Sequence, residues 1–299
     1  MKNKNQLAII IPALKNSDNL QRTLKAIYNQ TILPDQLIII LSTKEKITLS
    51  KKINNKIIYS KVKNQVYQRT LGLKFLKKNI DILLQLDDKI VLKKKSIQYL
   101  HDEWNMADNN IAGIAINPLG DIRPKINFFH YLTLTSSNKQ GKILPSGFVC
   151  GWNETKKNKS MEWLNGGMTS WKLTLVPQIY NRKFPIIKWS VCEDLFFSYK
   201  VSKKYKLLLS AKSKAKIILN SKNITLLESF NNGYMFAKIL HSFVSQNKKF
   251  SIFIFYYSIF SSSLLGLIIT IFKFDFLKSG NLIGRICGSL FKYNKNEIN

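Results

Sequence analysis

The sequence predicts an α/β protein with a doubly wound, mostly parallel sheet followed by a C-terminal helical segment. Along residues 7–116, short apolar runs alternate with segments whose apolar residues recur at helical spacing, an order typical of a sheet covered by helices. Several runs are apolar throughout, as strands of a parallel sheet are when both faces are buried. A long uncharged stretch, Phe250–Phe272, predicts the helical segment.

The first strand, helix and strand are read from the opening forty residues. Leu7–Pro12 is an apolar run that ends in proline, which predicts a buried strand. The helix after it begins at a cap supplied by Asn16 or Ser17 and extends to Gln30. Gln36–Leu41 predicts the second buried strand. Strand, helix and strand in this order indicate parallel neighbours in one sheet.

The same alternation continues to residue 116. The predicted strand, helix, strand, helix and strand are Lys56–Tyr59, Gln65–Lys78, Ile80–Leu86, Ser96–Ala107 and Ile111–Ile116. Pro118–Asn158 contains several glycines and prolines, which predicts irregular loops around a binding cleft. Parallel sheets bind ligands beyond the carboxyl ends of their strands. Asp87 and Asp88 directly follow such an end.

The chain divides into a predicted catalytic domain, residues 1–223, and a helical, membrane-associated region, residues 224–299. Within the second region, Phe250–Phe272 would form a helix of about 35 Å, enough for a hydrocarbon core of about 30 Å. Lys248, Lys249 and Lys273 flank it, and several serines dilute its apolar character. We expect membrane insertion or deep embedding, while packing on the first domain or lying in the membrane interface stays open.

The composition narrows the classes of partner. Lys and Arg number 47 against 17 Asp and Glu, for a net charge of +30. The basic residues are mostly scattered lysines, whereas nucleic-acid readers use forked arginine contacts, so we expect no nucleic-acid partner. The three cysteines and three histidines show no zinc-site spacing. The polar start of the chain has no signal-peptide pattern, so we expect the catalytic part to lie in the cytoplasm.

Two adjacent acidic pairs in apolar surroundings are the main chemical signal, because only 17 of 299 residues are acidic. Asp87 and Asp88 follow the predicted strand Ile80–Leu86, and Glu193 and Asp194 precede a Leu-Phe-Phe run. Adjacent carboxylates repel each other, and a cation or a proton usually relieves the repulsion. A metal ion at one pair and a general base at the other would account for both.

Five segments in a fixed order resemble family 2 glycosyltransferases, which have the GT-A fold. In chain order they are similar to the family's opening strand and helix, its Ala-Arg-Asn-x-Gly segment, its Asp-x-Asp metal motif, its glycine-rich acceptor loop and its catalytic Glu-Asp. The corresponding segments are Leu7–Gln30 with Pro34–Ile39, Gln68–Gly72, Asp87-Asp88, Trp163–Lys172 and Glu193-Asp194. The resemblance covers most of the chain.

The resemblance implies an inverting transferase that moves a sugar from a nucleotide-sugar donor and depends on Mg²⁺ or Mn²⁺. It implies that Asp194 is the general base, that Glu193 orients it, and that Asp88 binds the metal. The implied donor-binding residues are Pro12, Ala13, Arg69, Asp87, Gly166 and Gly167. The implied acceptor-binding residues are Trp163 and Asn165.

Each role has a structural alternative that the sequence leaves open. The aspartate pair would cap a turn, the glycine pair would form one, Arg69 would be a solvated helix residue, and Trp163 would belong to the core. Glu193 and Asp194 would be first-turn acids favoured by the dipole of a helix, and this role is compatible with catalysis.

Three departures refine the expected function. Lys89 stands where the family often has a third acidic residue. Leu41–Lys44 lacks the aspartate that, in the family, contacts the base of the nucleotide. No Gln-x-x-Arg-Trp motif, associated with processive synthases, follows Glu193-Asp194. The missing motif leads us to expect transfer of a single sugar. Because of the C-terminal apolar segment, we expect the acceptor to be a lipid-linked cell-surface glycan at the cytoplasmic face of the membrane. The alternatives are a polyprenyl-phosphate sugar transferase and an inactive binding or scaffold protein.

Overall fold

The computed structural model describes residues 5–121, 123, 125–176, 192–218 and 224–291. It divides into two compact units, the first comprising Met1–Ile122 with Asn153–Leu219 and the second Arg123–Trp152 with Asn220–Asn299. The domain boundary placed after residue 223 from the sequence stays a prediction.

The strands within the described part of the first unit form one nine-stranded sheet. In chain order they are β1 Leu7–Ala13, β2 Gln36–Leu41, β3 Asn54–Tyr59, β4 Ile82–Leu86, β5 Ile90–Leu92, β6 Ile111–Pro118, β7 Lys159–Met161, β8 Met168–Lys172 and β9 Lys206–Ile217. Their order across the sheet is β3-β2-β1-β4-β8-β6-β9-β5, and β7 pairs with β9.

The described helices belong to both units. In chain order they are α1 Asp18–Tyr28, α2 Gln65–Leu73, α3 Ser96–Met106, α4 Phe128–Leu132, α5 Glu193–Ser202, α6 Leu226–Ser245, α7 Ile252–Phe272 and α8 Phe276–Ser289. Helices α1, α2, α3 and α5 lie in the first unit, and the other four lie in the second.

The parallel strands β3, β2, β1 and β4 form the half of the sheet that the apolar runs predict. Every residue of β1, β2 and β4 is buried, which explains why these strands are almost uniformly apolar. Ile10 of β1 lies opposite Ile38 of β2 and Gln85 of β4. Ser17 caps α1 by accepting a hydrogen bond from the amide of Leu20. The predicted α/β fold with a mostly parallel central sheet is confirmed.

Strand β8 corrects the prediction that Trp163–Lys172 is a loop throughout. The second half of this segment, Met168–Lys172, is β8, which pairs antiparallel with both β4 and β6. The polar residues of β8 hid the strand pattern, but they are satisfied inside the sheet. The Ser170 hydroxyl donates to the Ile114 carbonyl at 2.9 Å and accepts from the Trp104 indole at 2.9 Å.

The structure also differs from the prediction at the end of α2 and within the stretch Pro118–Asn158. Helix α2 ends at Leu73 rather than Lys78. Beyond Leu73 the backbone amides bond to the carbonyl three residues earlier, as in a 3₁₀ turn; the Phe75 amide, for example, donates to the Gly72 carbonyl. The stretch predicted to be irregular contains α4, which begins with a reciprocal cap between Asn127 and His130.

The second unit contains the predicted C-terminal helices. The predicted segment Phe250–Phe272 contains α7, which begins at Ile252 after the cap residue Ser251 and ends at Phe272. By length and composition alone, α7 is long and apolar enough to cross a membrane. Helix α6 begins at a capping box between Thr225 and Glu228.

Gly113 provides a test of packing in the sheet. It lies opposite Trp171 in the β6–β8 pairing, and a Cβ added there would lie 2.7 Å from the buried Trp171 ring. We predict that Gly113→Ala lowers the free energy of unfolding by about 1–3 kcal/mol through overpacking. Urea denaturation measures the change.

Gly151→Ala is the matched control, because the nearest atom to its new Cβ would be 3.9 Å away on the Arg123 side chain. It should change stability by no more than about 0.5 kcal/mol. Equal stability of the two variants would contradict tight packing between Gly113 and Trp171.

Candidate active site

The carboxyl end of β4 is where the predicted site residues begin to meet. The amide of Asp87 donates to the Gly167 carbonyl at 2.8 Å, which joins the end of β4 to the segment before β8. The Thr23 hydroxyl of α1 donates to the Asp88 carbonyl at 3.0 Å. Both aspartates are partly exposed. The aspartate pair therefore lies at the strand end expected for a ligand site.

Arg69 connects this strand end to α5. Its Nη2 lies 2.8 Å from Asp87 Oδ1 and its Nη1 lies 3.4 Å from Glu193 Oε1. The arginine side chain is only 1% exposed, so Arg69 is not the solvated helix residue of the structural alternative. It bridges carboxylates that come from distant parts of the sequence and reduces their mutual repulsion.

Gln65 shares this network, although sequence reasoning did not identify it. Its side-chain amide donates to Asp87 Oδ1, the same oxygen that Arg69 contacts. Gln65 and Arg69 are four residues apart on α2, so they lie on one face of the helix. This four-residue spacing is the sequence pattern that could have indicated Gln65. Asn64 fixes the start of α2 by accepting from the Tyr67 amide at 2.9 Å.

Gly166 and Gly167 are packed against the Arg69–Asp87 pair. A Cβ at Gly166 would lie 2.8 Å from Arg69 Nη1, and one at Gly167 would lie 2.9 Å from Asp87 Oδ1 and still closer to the other carboxylate atoms. The lack of a side chain therefore has a reason inside the protein itself. Donor binding by these glycines stays a prediction.

Asp194 is oriented by two backbone amides. The Gly166 amide donates to its Oδ2 at 3.3 Å, and the Leu195 amide donates to its Oδ1 at 2.8 Å. Glu193 and Asp194 are the first residues of α5, as the helix-dipole alternative expects. The Ser198 hydroxyl donates to the Asp194 carbonyl and, at 3.0 Å, to the Leu164 carbonyl. The sequence analysis did not identify Ser198. Its position one helical turn after Asp194 is the pattern that could have indicated it.

The surroundings of the two acids change their proton affinities. Burial raises the pKa of Asp194 to about 7, and the charge of Glu193 adds to the rise. Hydrogen bonds from the Leu195 and Gly166 amides and the charge of Arg69 oppose it. Burial also raises the pKa of Glu193, against the lowering effect of Arg69. A carboxyl with a pKa near 7 exchanges a proton near neutral pH.

The remaining predicted residues are placed as follows. Pro12 and Ala13 lie buried at the end of β1, and the Ala13 carbonyl accepts from the Gln68 side chain at 3.1 Å. Trp163 is 9% exposed and belongs to the buried hydrophobic residues. The Asn165 carbonyl accepts from the Thr169 hydroxyl at 2.6 Å. Donor and acceptor contacts by these four residues stay predictions.

A divalent metal at the aspartate pair would need ligands from the substrate as well as from the protein. Among the residues that the structure describes, no group of three His, Cys, Asp or Glu side chains could hold a metal ion. Mg²⁺ typically takes one or two protein carboxylates and completes its shell with water and substrate phosphates. Asp88 is partly exposed, and Asp87 already contacts Arg69 and Gln65. The donor set therefore fits a metal held directly by Asp88, with a diphosphate supplying further oxygens.

Solved structures share this architecture, although no protein-family model and no curated protein matches the sequence. The chain aligns with TarS of S. aureus over 89% of its own length and 43% of TarS, with TM-score 0.54 and 11% identity. A second TarS structure, residues 1–349, is 90% covered at TM-score 0.55 and 12% identity. The chain thus spans less than half of the longer TarS chain.

Two more solved structures are similar. GalNAc-T7 with UDP, GalNAc and Mn²⁺ aligns over 88% of this chain and 55% of its own, with TM-score 0.57 and 14% identity. The mannosyltransferase PcManGT of Pyrobaculum calidifontis with GDP-Man and Mn²⁺ aligns over 97% and 88%, with TM-score 0.57 and 10% identity. These likenesses confirm the predicted GT-A fold. Membership of family 2 stays a prediction.

Replacing Arg69 tests whether its charge stabilises the two carboxylates of the site. We predict that Arg69→Met lowers the free energy of unfolding by about 3–5 kcal/mol near pH 7.5, because two carboxylates lose their buried counter-charge. The loss should shrink as the pH falls, because Glu193, with its raised pKa, becomes protonated. Urea denaturation at several pH values measures both effects.

Arg69→Lys is the control, since it keeps the charge and loses the planar fork. It should be less destabilising than Arg69→Met at pH 7.5. A loss for Arg69→Met that is the same at every pH would show that packing, and not charge, determines its effect.

Proposed function

We propose that the protein is an inverting glycosyltransferase that moves one sugar from a nucleotide-sugar donor to a hydroxyl group of a glycan acceptor. The observation that carries this proposal is Asp194. Its carboxylate is oriented by two backbone amides, and its pKa is about 7. The GT-A fold and the Arg69-bridged carboxylates at the end of β4 support the same function.

In the proposed reaction, Asp194 takes the proton of the acceptor hydroxyl as its oxygen attacks the anomeric carbon of the donor sugar. A new bond forms between that carbon and the acceptor oxygen. The bond from the carbon to the diphosphate oxygen breaks, and the nucleoside diphosphate leaves with the electron pair. Attack from the face opposite the leaving group inverts the anomeric configuration. A base with a pKa near the working pH suits this proton transfer.

The neighbouring residues hold the base and the donor end of the site in place. Arg69 contacts the carboxylates of Asp87 and Glu193, which supports a positioning role for it. Direct contact of Arg69 with a donor phosphate stays a prediction. A divalent metal bound at Asp88 would neutralise charge on the diphosphate oxygens. The Mn²⁺ in the GalNAc-T7 and PcManGT complexes supports this part of the proposal.

The finer proposal is a metal-dependent enzyme that adds its sugar to a lipid-linked, cell-surface glycan at the cytoplasmic face of a membrane. The apolar helix α7 supports the membrane location and the lipid-linked acceptor. The sequence shows no motif of processive synthases after Glu193-Asp194, which supports transfer of a single sugar. A second candidate acceptor, polyprenyl phosphate, is favoured by the same helix.

Donor and metal binding provide the first test. A ligand that binds the native state raises the melting temperature by mass action, so we predict that one nucleotide-sugar stabilises the detergent-purified protein in the presence of Mn²⁺ or Mg²⁺. The shift should need the metal and should be lost in Asp88→Asn. Asp108→Asn, a change at an exposed residue, should keep it.

Two outcomes of this experiment point elsewhere. A flat result with every nucleotide diphosphate and nucleotide-sugar would favour the inactive binding or scaffold protein. Once the donor is known, transfer of its sugar to polyprenyl phosphate but not to a glycan would favour the polyprenyl-phosphate transferase.

The pH dependence tests the general base. Asp194 accepts a proton only when ionised, so kcat/KM should rise about tenfold per pH unit below pH 7 and level off above it. Asp194→Asn should lower kcat by at least about 10²-fold, and Asp108→Asn should leave it unchanged. A pH-independent rate between pH 5.5 and 8, or an active Asp194→Asn variant, would remove Asp194 from this role.

A further inference from the structure

Helix α7 has two faces with opposite relations to the rest of the second unit. Its buried residues are Phe255, Ser258, Ile259, Ser263 and Thr270. Its strongly exposed residues include Phe253, Tyr257, Leu264, Ile268 and Ile271. These five residues recur at spacings of four, seven, four and three, which places them on a single face of the helix. Near the end of α7, Ile269 and Phe272 are exposed as well. An apolar stripe therefore runs along the outer side of α7.

The inner face of α7 is occupied by the two neighbouring helices. The Ser279 hydroxyl of α8 donates to Thr270 Oγ1 at 2.8 Å. A Cβ on Gly266 would lie 2.7 Å from the Leu282 side chain of α8. On the α6 side, the Tyr256 hydroxyl and His241 Nε2 lie 3.3 Å apart. The buried face of α7 is thus already packed against α6 and α8, whereas the apolar side chains of the outer stripe remain exposed.

Helix α4 continues the exposed apolar surface. The Tyr257 hydroxyl donates to the Leu132 carbonyl at the end of α4, at 2.9 Å. Phe128 and Phe129 on this short helix are 72% and 48% exposed. At the other end of α7, Phe272 and Phe276 are 80% and 70% exposed. Monomeric soluble proteins rarely expose contiguous apolar surface on this scale without a partner.

The charges around α7 and α8 argue against a membrane span. Lys273 and Asp275 lie exposed in the turn between these helices, and Lys278 lies exposed in the first turn of α8. If α7 crossed the bilayer, α8, which packs against α7, would carry Arg285 into the hydrocarbon, where a charge is costly. The 14-residue α8, about 21 Å long, is also too short to cross back through about 30 Å.

Helix α8 is, in addition, fixed to α6 by close backbone contact. A Cβ on Gly280, Gly284 or Gly288 would collide with α6 at successive turns, near Leu226, Phe230 and Tyr234. This spacing of small residues lets two helices approach closely. Because α6 carries Glu228, Lys238 and His241, moving α8 into hydrocarbon would bring charged and polar groups with it.

We propose that α4, α7 and α8 form a surface that binds an anionic bilayer. In the bound protein, α7 lies in the plane of the membrane and does not cross it. The outer stripe of α7 would enter the boundary between headgroups and acyl chains. Lys248, Lys249, Lys273 and Lys278 lie exposed near the ends of the stripe and match the negative charge of anionic headgroups. This proposal does not depend on the glycosyltransferase activity.

Vesicle binding tests the surface. The full chain, released from detergent by dilution, should co-float with vesicles of phosphatidylglycerol and phosphatidylcholine. The double variant Leu264→Glu with Ile268→Glu changes only exposed positions of the stripe and should weaken partitioning by at least about tenfold. Met106→Glu, at a residue 75% exposed on α3, should bind like the parent. Equal binding of all three proteins would overturn the proposal.

Labelling tests the in-plane orientation. Phe274→Cys places a thiol in the turn between α7 and α8, and the parent protein gives the background from Cys150, Cys192 and Cys287. On protein bound to the outside of intact vesicles, an impermeant maleimide should label this turn as fully as after lysis. Additional labelling that needs lysis would show that α7 spans the bilayer.

A second copy of the chain is the remaining occupant of the stripe. Size-exclusion chromatography with light scattering in dilute detergent would detect it. A dimer that the double Glu variant converts to monomer, while vesicle binding stays unchanged, would overturn the lipid assignment.

Discussion

The buried guanidinium of Arg69 is the contact on which the site depends, because it satisfies two carboxylates that otherwise repel each other. Asp87 comes from the end of β4 and Glu193 from the start of α5, 124 residues from Arg69. A buried charge without a partner is strongly destabilising, so the positions of these two elements are coupled. The placement of Asp194, next to Glu193, follows from the same contact.

The parallel half of the sheet was predictable because its strands are buried on both faces. β1, β2 and β4 therefore consist almost entirely of apolar residues, and the period of the intervening helices is equally clear. β8 and β9 were not predicted. β8 has a polar residue, Ser170, bonded to neighbouring elements inside the sheet, and β9 alternates with lysines at exposed positions. The continuous apolar pattern of a buried strand is therefore missing from both: in β8 because a polar residue is satisfied by tertiary hydrogen bonds, and in β9 because one face is exposed.

The order of acidic motifs in the sequence indicated which residues meet, but not how. Asp87, Arg69 and Glu193 were each selected separately, and only the structure joins them through one guanidinium. Gln65 and Ser198 carry no motif, and their contacts depend on the register of α2 and α5. Periodicity predicts which face of a helix a residue occupies, whereas its partner across the fold depends on packing that no local pattern records.

The glycine pair has a consequence for mutational scanning. Because a Cβ at Gly166 or Gly167 meets Arg69 or Asp87 before it meets any ligand, every replacement there perturbs the protein's own ion pair. Inactive variants at these positions would therefore carry no information about donor contacts unless the ion pair were shown to be intact. Chemical probes of the backbone, such as amide-to-ester replacement, would separate the two effects without adding a side chain.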